Sequence, residues 1–207
     1  MTTSLIYKNA AVYELVMRAL YGRHYGARYL ALDALIENGS SVVELCCGPA
    51  ILYQRYLRKR EISYTGLDIN PGFIAQLKNA GVEGHVLDLR GQSTLPEADY
   101  VIMQASLYHF LPDPKPVVDR MLAAARVGLI IAEPIRNLSD SKIGFVARLG
   151  SLLTNPGSGD QPLRFTESAL DSFFDQYAEA VEKSFLIPGG REKVYVLRTR
   201  DRQSLIH

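Results

Sequence analysis

Short apolar runs alternate with helix-forming segments through the middle of the chain. The predicted elements are strand 41–46, helix 50–60, strand 62–68, helix 71–80, strand 83–88, strand 98–104, helix 114–126 and strand 127–133. Strands that alternate with helices in this way are typical of a parallel sheet with helices on both faces. The pattern therefore predicts an α/β fold.

The residues before the first strand have a helical pattern. Apolar side chains recur at three- and four-residue steps from Leu5 to about Asn38. Gly22 and Gly26 interrupt this pattern. We therefore expect two helices, or one broken helix, ahead of the sheet.

The last third of the chain departs from the alternation. Residues 136–165 combine a polar stretch, an apolar piece at helical spacing and a loop rich in Gly and Pro. A helix is predicted near 167–177, followed by strands at 180–187 and 193–199 that a Pro-Gly-Gly turn connects. Such a turn favours an antiparallel hairpin at the edge of the sheet.

Composition and charge narrow the class of protein. The 207 residues include 23 Lys and Arg against 22 Asp and Glu, and 47% are hydrophobic. This length favours one domain, and the near-neutral charge disfavours nucleic acid as a partner. The chain starts without the features of a signal peptide, and no apolar run is long enough for a membrane span. We expect a cytoplasmic protein, either a monomer or a homodimer.

Acidic residues lie at the ends of three predicted strands. Glu44 precedes a turn of small residues at 46–50, Asp68 ends the second strand, and Asp88 ends the third. Because the carboxyl ends of parallel strands share one edge of the sheet, we expect these carboxylates to line one ligand site. Any one acid alone would also be explained as a helix cap or a solvated strand end. Three in order favour a shared site, and their spacing suggests a nucleoside-bearing cofactor.

The only two cysteines, Cys46 and Cys47, lie side by side in that turn. Adjacent cysteines are a poor geometric match for a disulfide, and two thiols without a clustered histidine make no tetrahedral zinc site. We interpret them as small buried side chains rather than as redox groups. The sequence predicts no metal site.

Four segments resemble class I S-adenosylmethionine-dependent methyltransferases: ELCCGPA at 44–50, LDIN at 67–70, LDL at 87–89 and ADYVIMQASLYHF at 98–110. The resemblance implies a three-layer Rossmann-like sandwich with a mostly parallel seven-stranded sheet, a C-terminal antiparallel hairpin and an N-terminal helical lid. It also implies the parts of a single domain: a cap at 1–38, a cofactor-binding core at 39–135, an insertion over the acceptor site at 136–165, and a C-terminal helix with a strand pair at 166–200.

The same resemblance implies S-adenosylmethionine as the cofactor and S-adenosylhomocysteine as its product. Asp68 is expected to accept hydrogen bonds from the ribose hydroxyls, because a carboxylate has two acceptor oxygens and no donor. Asp88 is expected to accept from the adenine amino group. The other expected cofactor contacts are Glu44, Cys46, Gly48, Ile69, Asn70, Leu89 and Gln104.

The turn departs from the family pattern. Members commonly carry three glycines at alternating positions, whereas only Gly48 remains here, between Cys46 and Ala50. The loss of glycine at position 50 matters only if that residue must adopt a positive φ. A dinucleotide dehydrogenase, the nearest α/β rival, would need two further glycines around the same turn.

The segment after the fourth strand supplies the candidate for catalysis. His109 follows the carboxyl end of this strand, and an imidazole titrates near neutrality, so it is the candidate general base. A packed structural histidine explains it equally simply. The expected substrate or lid residues are Tyr21, His24, Tyr25, Tyr108 and Glu133. The first three would otherwise be helix residues with polar tips in water, and Glu133 a solvated strand end.

Three functions remain open from the sequence. The leading hypothesis is transfer of a methyl group to an O, N or C atom of a small organic acceptor, for which an apolar compound is one option. A second is a catalytically weak or inactive methyltransferase-like scaffold, and the altered glycine turn is the observation that suggests it. A third is a protein or RNA methyltransferase, which the neutral charge disfavours.

Overall fold

The structure is a computed structural model that describes residues 10–91, 93–135 and 164–199. The described residues form five α-helices: α1 (Ala10–Tyr21), α2 (Tyr25–Asp33), α3 (Pro71–Asn79), α4 (Lys115–Ala124) and α5 (Glu167–Asp175). Their strands are β1 (Ser41–Leu45), β2 (Ser63–Asp68), β3 (Glu83–Val86), β4 (Ala98–Gln104), β5 (Ala125–Pro134), β6 (Val181–Leu186) and β7 (Glu192–Arg198). The insertion expected at 136–165 lies outside the described residues, apart from its last two positions.

All seven strands belong to one sheet with the order β3-β2-β1-β4-β5-β7-β6. Strands β1 to β5 are parallel, whereas β7 runs antiparallel to both β5 and β6. The predicted mostly parallel sheet with a C-terminal antiparallel hairpin is confirmed. In β1, Leu45 is paired with Leu67 on one side and Met103 on the other. The carboxyl ends of β2, β1 and β4 therefore lie in one row.

Side chains along each strand alternate between two apolar cores. In β4, Tyr100 and Ile102 pack on the side of α1, α2 and α3, whereas Val101 and Met103 pack on the side of α4 and α5. The same period of two continues through β5 and β7. A sheet that is apolar on both faces needs a helical layer on each, which explains the near-continuous apolar runs of the sequence. The three-layer α/β fold is confirmed.

The N-terminal residues form two helices, one of the two expected arrangements. A 3-10 helix at Gly22–His24 separates α1 from α2. Gly22 has a φ of +53°, a left-handed conformation that glycine adopts without strain. Gly26 lies within α2 and does not interrupt it.

The helix predicted at 50–60 was wrong in type and length. Only two α-helical residues precede a π-helix at Tyr53–Leu57, in which the Arg58 N–H donates to the Tyr53 carbonyl at 2.8 Å. The ring of Tyr53 stacks on that of Tyr64, with 4.3 Å between centroids. A count of apolar positions at a period of 3.6 residues cannot anticipate this tertiary packing.

No helix within the described ranges is long and apolar enough to cross a bilayer.

Candidate functional site

The turn after β1 has left-handed backbone at every second residue. The φ angles are +52° at Cys46, +53° at Gly48 and +50° at Ala50. These are the three positions where the family pattern carries glycine, so position 50 does adopt the positive φ that makes its replacement matter. An added Cβ at Gly48 would meet no atom within 4 Å. The turn therefore presents open backbone at its middle residue.

Asp68 ties this turn to the end of β2. Its Oδ2 accepts a hydrogen bond from the Gly48 N–H at 2.8 Å, and its Oδ1 accepts one from the Asn70 N–H at 2.7 Å. Burial raises the pKa of Asp68, and the two backbone donors oppose this by stabilising the carboxylate. Each oxygen keeps a second lone pair for a ligand. Asn70 in turn caps α3, because its side chain accepts from the Gly72 N–H.

Glu44 lies beside Asp68 but inside the protein. It is 5% exposed, and its Oε2 accepts a hydrogen bond from the Tyr64 hydroxyl at 2.6 Å. Burial raises the pKa of Glu44 to about 7 against the effect of this hydrogen bond, and the nearby Asp68 adds to the rise. A solvated strand end is therefore the wrong interpretation of Glu44.

The third strand end lies apart from the turn. Asp88 follows β3 by two residues, is exposed, and accepts a hydrogen bond from the Arg90 N–H at 2.9 Å. Within the described part of the chain, no hydrogen bond joins Asp88 to Asp68 or to the turn. Ile69 is 55% exposed, whereas Leu89 is buried in the core on the α4 side.

Both cysteines are free thiols. Burial raises the pKa of the Cys46 thiol to about 12, and it raises the pKa of Cys47 as well. A thiol is nucleophilic and redox-active as the thiolate, so both side chains are inert near neutral pH. Their place in the turn agrees with the interpretation as small packed groups.

Glu133 fixes the segment that follows β4. It is fully buried at the end of β5, and its two oxygens accept hydrogen bonds from the N–H groups of Leu107 at 2.9 Å and Tyr108 at 3.3 Å. Burial raises the pKa of Glu133 to about 8, although these donors oppose the rise. The interpretation of Glu133 as a solvated strand end is wrong.

Gln104 ends β4, and its Nε2 is buried without a hydrogen-bond partner among the described residues.

His109 lies in the 3-10 helix Leu107–Phe110 that Glu133 holds. Its ring is 3.9 Å from the Tyr108 ring, centroid to centroid. Burial lowers the pKa of His109 to about 4, and the positive charges of Arg164 and Arg90 add to this effect. The imidazole is therefore neutral near pH 7 and a weak base.

Two of the candidate lid residues, Tyr21 and His24, contact the C-terminal hairpin. The Tyr21 hydroxyl donates to Glu192 Oε1 at 2.6 Å, and Arg28 forms an ion pair with the same oxygen at 2.6 Å. Tyr25 is buried as well, whereas His24 is half-buried and accepts from Arg23 Nε at 3.0 Å. Tyr21 and Tyr25 are buried, so the interpretation that their hydroxyl groups lie in water is wrong.

Three residues near this edge of the sheet have no signal in the sequence pattern. Arg28 and Glu192 are 164 positions apart, and only the folded chain brings them together. Arg164 lies in the loop before α5, and its guanidinium carbon is 3.4 Å from the centroid of the Tyr108 ring. A lone arginine in a loop has no periodic or motif signature.

The strand order and the mostly parallel sheet are those of the Rossmann-like fold that S-adenosylmethionine-dependent methyltransferases have. No protein-family model matches the sequence. Among curated proteins, the trans-aconitate 2-methyltransferases of Mycobacterium tuberculosis and Mycobacterium bovis are 31% identical over 102 residues, which is 48% of this chain and 38% of the relative. The match thus spans well under half of these relatives.

Solved structures share the fold at low sequence identity. A chain of the Haloferax volcanii complex that contains the Trm112 methyltransferase activator has a TM-score of 0.66 and 12% identity, covering 96% of this chain and 99% of its own. Magnesium protoporphyrin IX methyltransferase from Synechocystis PCC 6803, with bound S-adenosylhomocysteine, has a TM-score of 0.60 and 14% identity, covering 93% and 97%. At these identities the likeness establishes the fold alone.

Proposed function

We propose that this chain binds S-adenosylmethionine at the carboxyl edge of β1 and β2 and transfers its methyl group to a small organic acceptor. The observation that carries the proposal is the left-handed turn at 46–50, which Asp68 ties to the end of β2 through the Gly48 N–H. A backbone turn that exposes N–H groups beside a carboxylate suits a ligand with an amino-acid end and a ribose.

The residues of the site fit this cofactor. Asp68 has lone pairs left for ribose hydroxyls, and the exposed Ile69 side chain would cover the base. The open backbone at Gly48 would contact the amino-acid end. When bound, the sulfonium of the cofactor supplies an activated methyl group. The protein then mainly has to orient the acceptor and exclude water.

The small-molecule acceptor is supported by the near-neutral charge and by the relatives that act on trans-aconitate. His109 is neutral near pH 7, so it suits an acceptor atom that needs little help from a base. We therefore propose that Tyr108 and His109 shape the acceptor side of the site, with Glu133 behind them. Trans-aconitate is the first acceptor to test.

Isothermal titration with S-adenosylmethionine and S-adenosylhomocysteine tests the cofactor site. Asp68→Ala should weaken binding of both nucleosides by about 1–3 kcal/mol, because their hydroxyls lose a charged acceptor. Glu179→Ala, which removes an exposed acid from the turn before β6, should leave affinity unchanged. The fold of each variant is checked by its thermal unfolding.

The alternatives predict other outcomes. No heat and no thermal shift with either nucleoside would favour a methyltransferase-like scaffold. Label transferred from the cofactor to bulk RNA or protein, and not to trans-aconitate or a metabolite pool, would favour a macromolecular acceptor.

A further inference from the structure

Arg164 presents a half-buried guanidinium on an aromatic platform. Its Cζ is 3.4 Å from the centroid of the Tyr108 ring, within the range of a cation–π contact. Stacking on a ring leaves the in-plane N–H groups of the guanidinium free to point at a ligand. These N–H groups form a planar fork that matches the two oxygens of a carboxylate.

No acidic side chain in the described part of the chain forms an ion pair with Arg164 within 4.0 Å. The buried carboxyl of Glu133 interacts with it electrostatically, but both Glu133 oxygens accept backbone hydrogen bonds from Leu107 and Tyr108. Among the described residues, therefore, no carboxylate in contact with Arg164 balances its positive charge.

Arg164 also lies at the edge of the sheet where the acceptor is expected. Tyr108, on which it stacks, follows β4, and Glu133 ends β5. Burial lowers the pKa of His109, and the positive charges of Arg164 and Arg90 lower it further, so two cationic side chains act on this imidazole.

A second observation points to a ligand rich in oxygen. Gln104 is paired with Ala132, directly before Glu133, and its buried Nε2 has no hydrogen-bond partner among the described residues. A buried donor without a partner is costly, and a ligand acceptor atom would remove that cost. Arg164 and Gln104 both offer N–H donors at this edge.

We propose that Arg164 binds a carboxylate of the acceptor, so that the substrate of the site is a small organic acid. This inference rests on the proposed methyltransferase function. The carboxylate lies in the plane of the guanidinium and accepts from its fork of N–H groups. The Tyr108 ring stacks on one face of that plane and holds it in position. Arg164 thus determines which acceptors bind, and it does not take part in cofactor binding.

Isothermal titration of the S-adenosylhomocysteine complex with trans-aconitate, succinate and benzoate tests this role. One of these three acids will bind the natural protein most tightly. Arg164→Gln should weaken the binding of that acid by about 10- to 100-fold. Arg164→Lys should retain part of the affinity, because a lysine keeps the charge and loses the planar fork. Arg58→Gln removes an equal charge from an exposed turn and should change nothing.

The controls separate the two proposals. All variants should bind S-adenosylhomocysteine with the affinity of the natural protein. If the natural protein itself does not bind S-adenosylhomocysteine, the methyltransferase proposal is refuted rather than the acceptor proposal. The acceptor proposal fails if the nucleoside complex binds none of the three acids, or if Arg164→Gln binds them as tightly as before. Inorganic phosphate that binds equally well, and is lost equally in Arg164→Gln, would also refute the carboxylate assignment.

Discussion

Cys46, Ala50 and Ala105 hold left-handed conformations without being glycine, with φ angles of +52°, +50° and +54°. Such a conformation costs an L-residue roughly 1–2 kcal/mol. The first two lie in the turn after β1 and the third follows β4, so all three are at the edge where the cofactor is proposed to bind. Backbone strain of this kind concentrates at ligand sites, because the surrounding structure must enforce it. With Cys46 and Ala50 in place of glycine, the turn therefore carries a conformational cost that glycines would avoid.

Glu133 is the residue whose titration should be visible in stability. Folding raises its pKa from 4.5 to about 8, so between these values the folded state binds more protons than the unfolded state. The free energy of unfolding therefore loses a contribution from Glu133 as the pH rises through this window. Glutamine cannot titrate, so Glu133→Gln should remove that loss.

Urea unfolding of both proteins between pH 5 and pH 8 checks this prediction. At pH 5 both side chains are neutral in the folded state, and each offers one carbonyl oxygen to the Leu107 and Tyr108 N–H groups, so the two proteins should have similar stability. The variant should become the more stable of the two as the pH rises to 8. Other groups, including Glu44 and His109, titrate in both proteins and cancel in the difference. A difference that does not vary with pH would contradict the prediction.

Residues at the site divide by how local their signal is. Asp68 and Glu44 were predicted as site residues because a strand end and a turn of small residues are visible in a few letters of sequence. Arg28 and Arg164 were missed, because their roles come from partners that are distant in sequence or from a ring in another loop. The burial of Glu133 was also missed, since the end of a strand does not reveal what packs over it.

At the scale of elements, strands were predicted better than helices. The bounds of β4 agree with the prediction. The apolar run at 100–103 lies between two polar residues of the strand, Asp99 and Gln104, so its ends are visible in the sequence. The helix expected at 114–126 ends at Ala124 because Ala125 already pairs with Ala98 in the sheet. Sheet pairing is a tertiary effect, so helix ends beside it cannot be read from periodicity.

Gly66 shows how closely one element packs on another. It lies inside β2, and an added Cβ would be 2.6 Å from Leu77 Cδ2 of α3 and 2.9 Å from Cys47 Sγ of the turn. Gly66→Ala should therefore destabilise the protein by about 1–3 kcal/mol, the usual cost of overpacking. Urea unfolding measures the loss.

The shorter side chain in Leu77→Val provides the matched background for this test. If the clash with α3 is the cause, Gly66→Ala should cost less in Leu77→Val than in the natural protein. An equal cost in both backgrounds would assign the loss to the strand backbone rather than to packing.

At the scale of the whole molecule, one buried ion pair joins the two ends of the described chain. Arg28 of α2 is 2% exposed and Glu192 of β7 is 1% exposed, and their charged atoms are 2.6 Å apart. The pair closes the N-terminal helices over the antiparallel strand that extends the parallel sheet. The Tyr21 hydroxyl adds a third donor to the same Glu192 oxygen. The position of the N-terminal helices thus depends on a hairpin formed by the last described strands.

Removing one member of this pair should be far more damaging than removing both. Arg28→Met leaves the Glu192 carboxylate buried without its partner, which typically costs about 3–5 kcal/mol. Replacing both, as Arg28→Met with Glu192→Leu, leaves no buried charge, so the double variant should be more stable than Arg28→Met alone in urea unfolding. Arg198→Met, which breaks an exposed ion pair with Glu182 on the same hairpin, should change stability little. If the double variant were the least stable of the set, the pair would be contributing net stability, and the N-terminal helices would be held by charge rather than by the apolar packing around the pair.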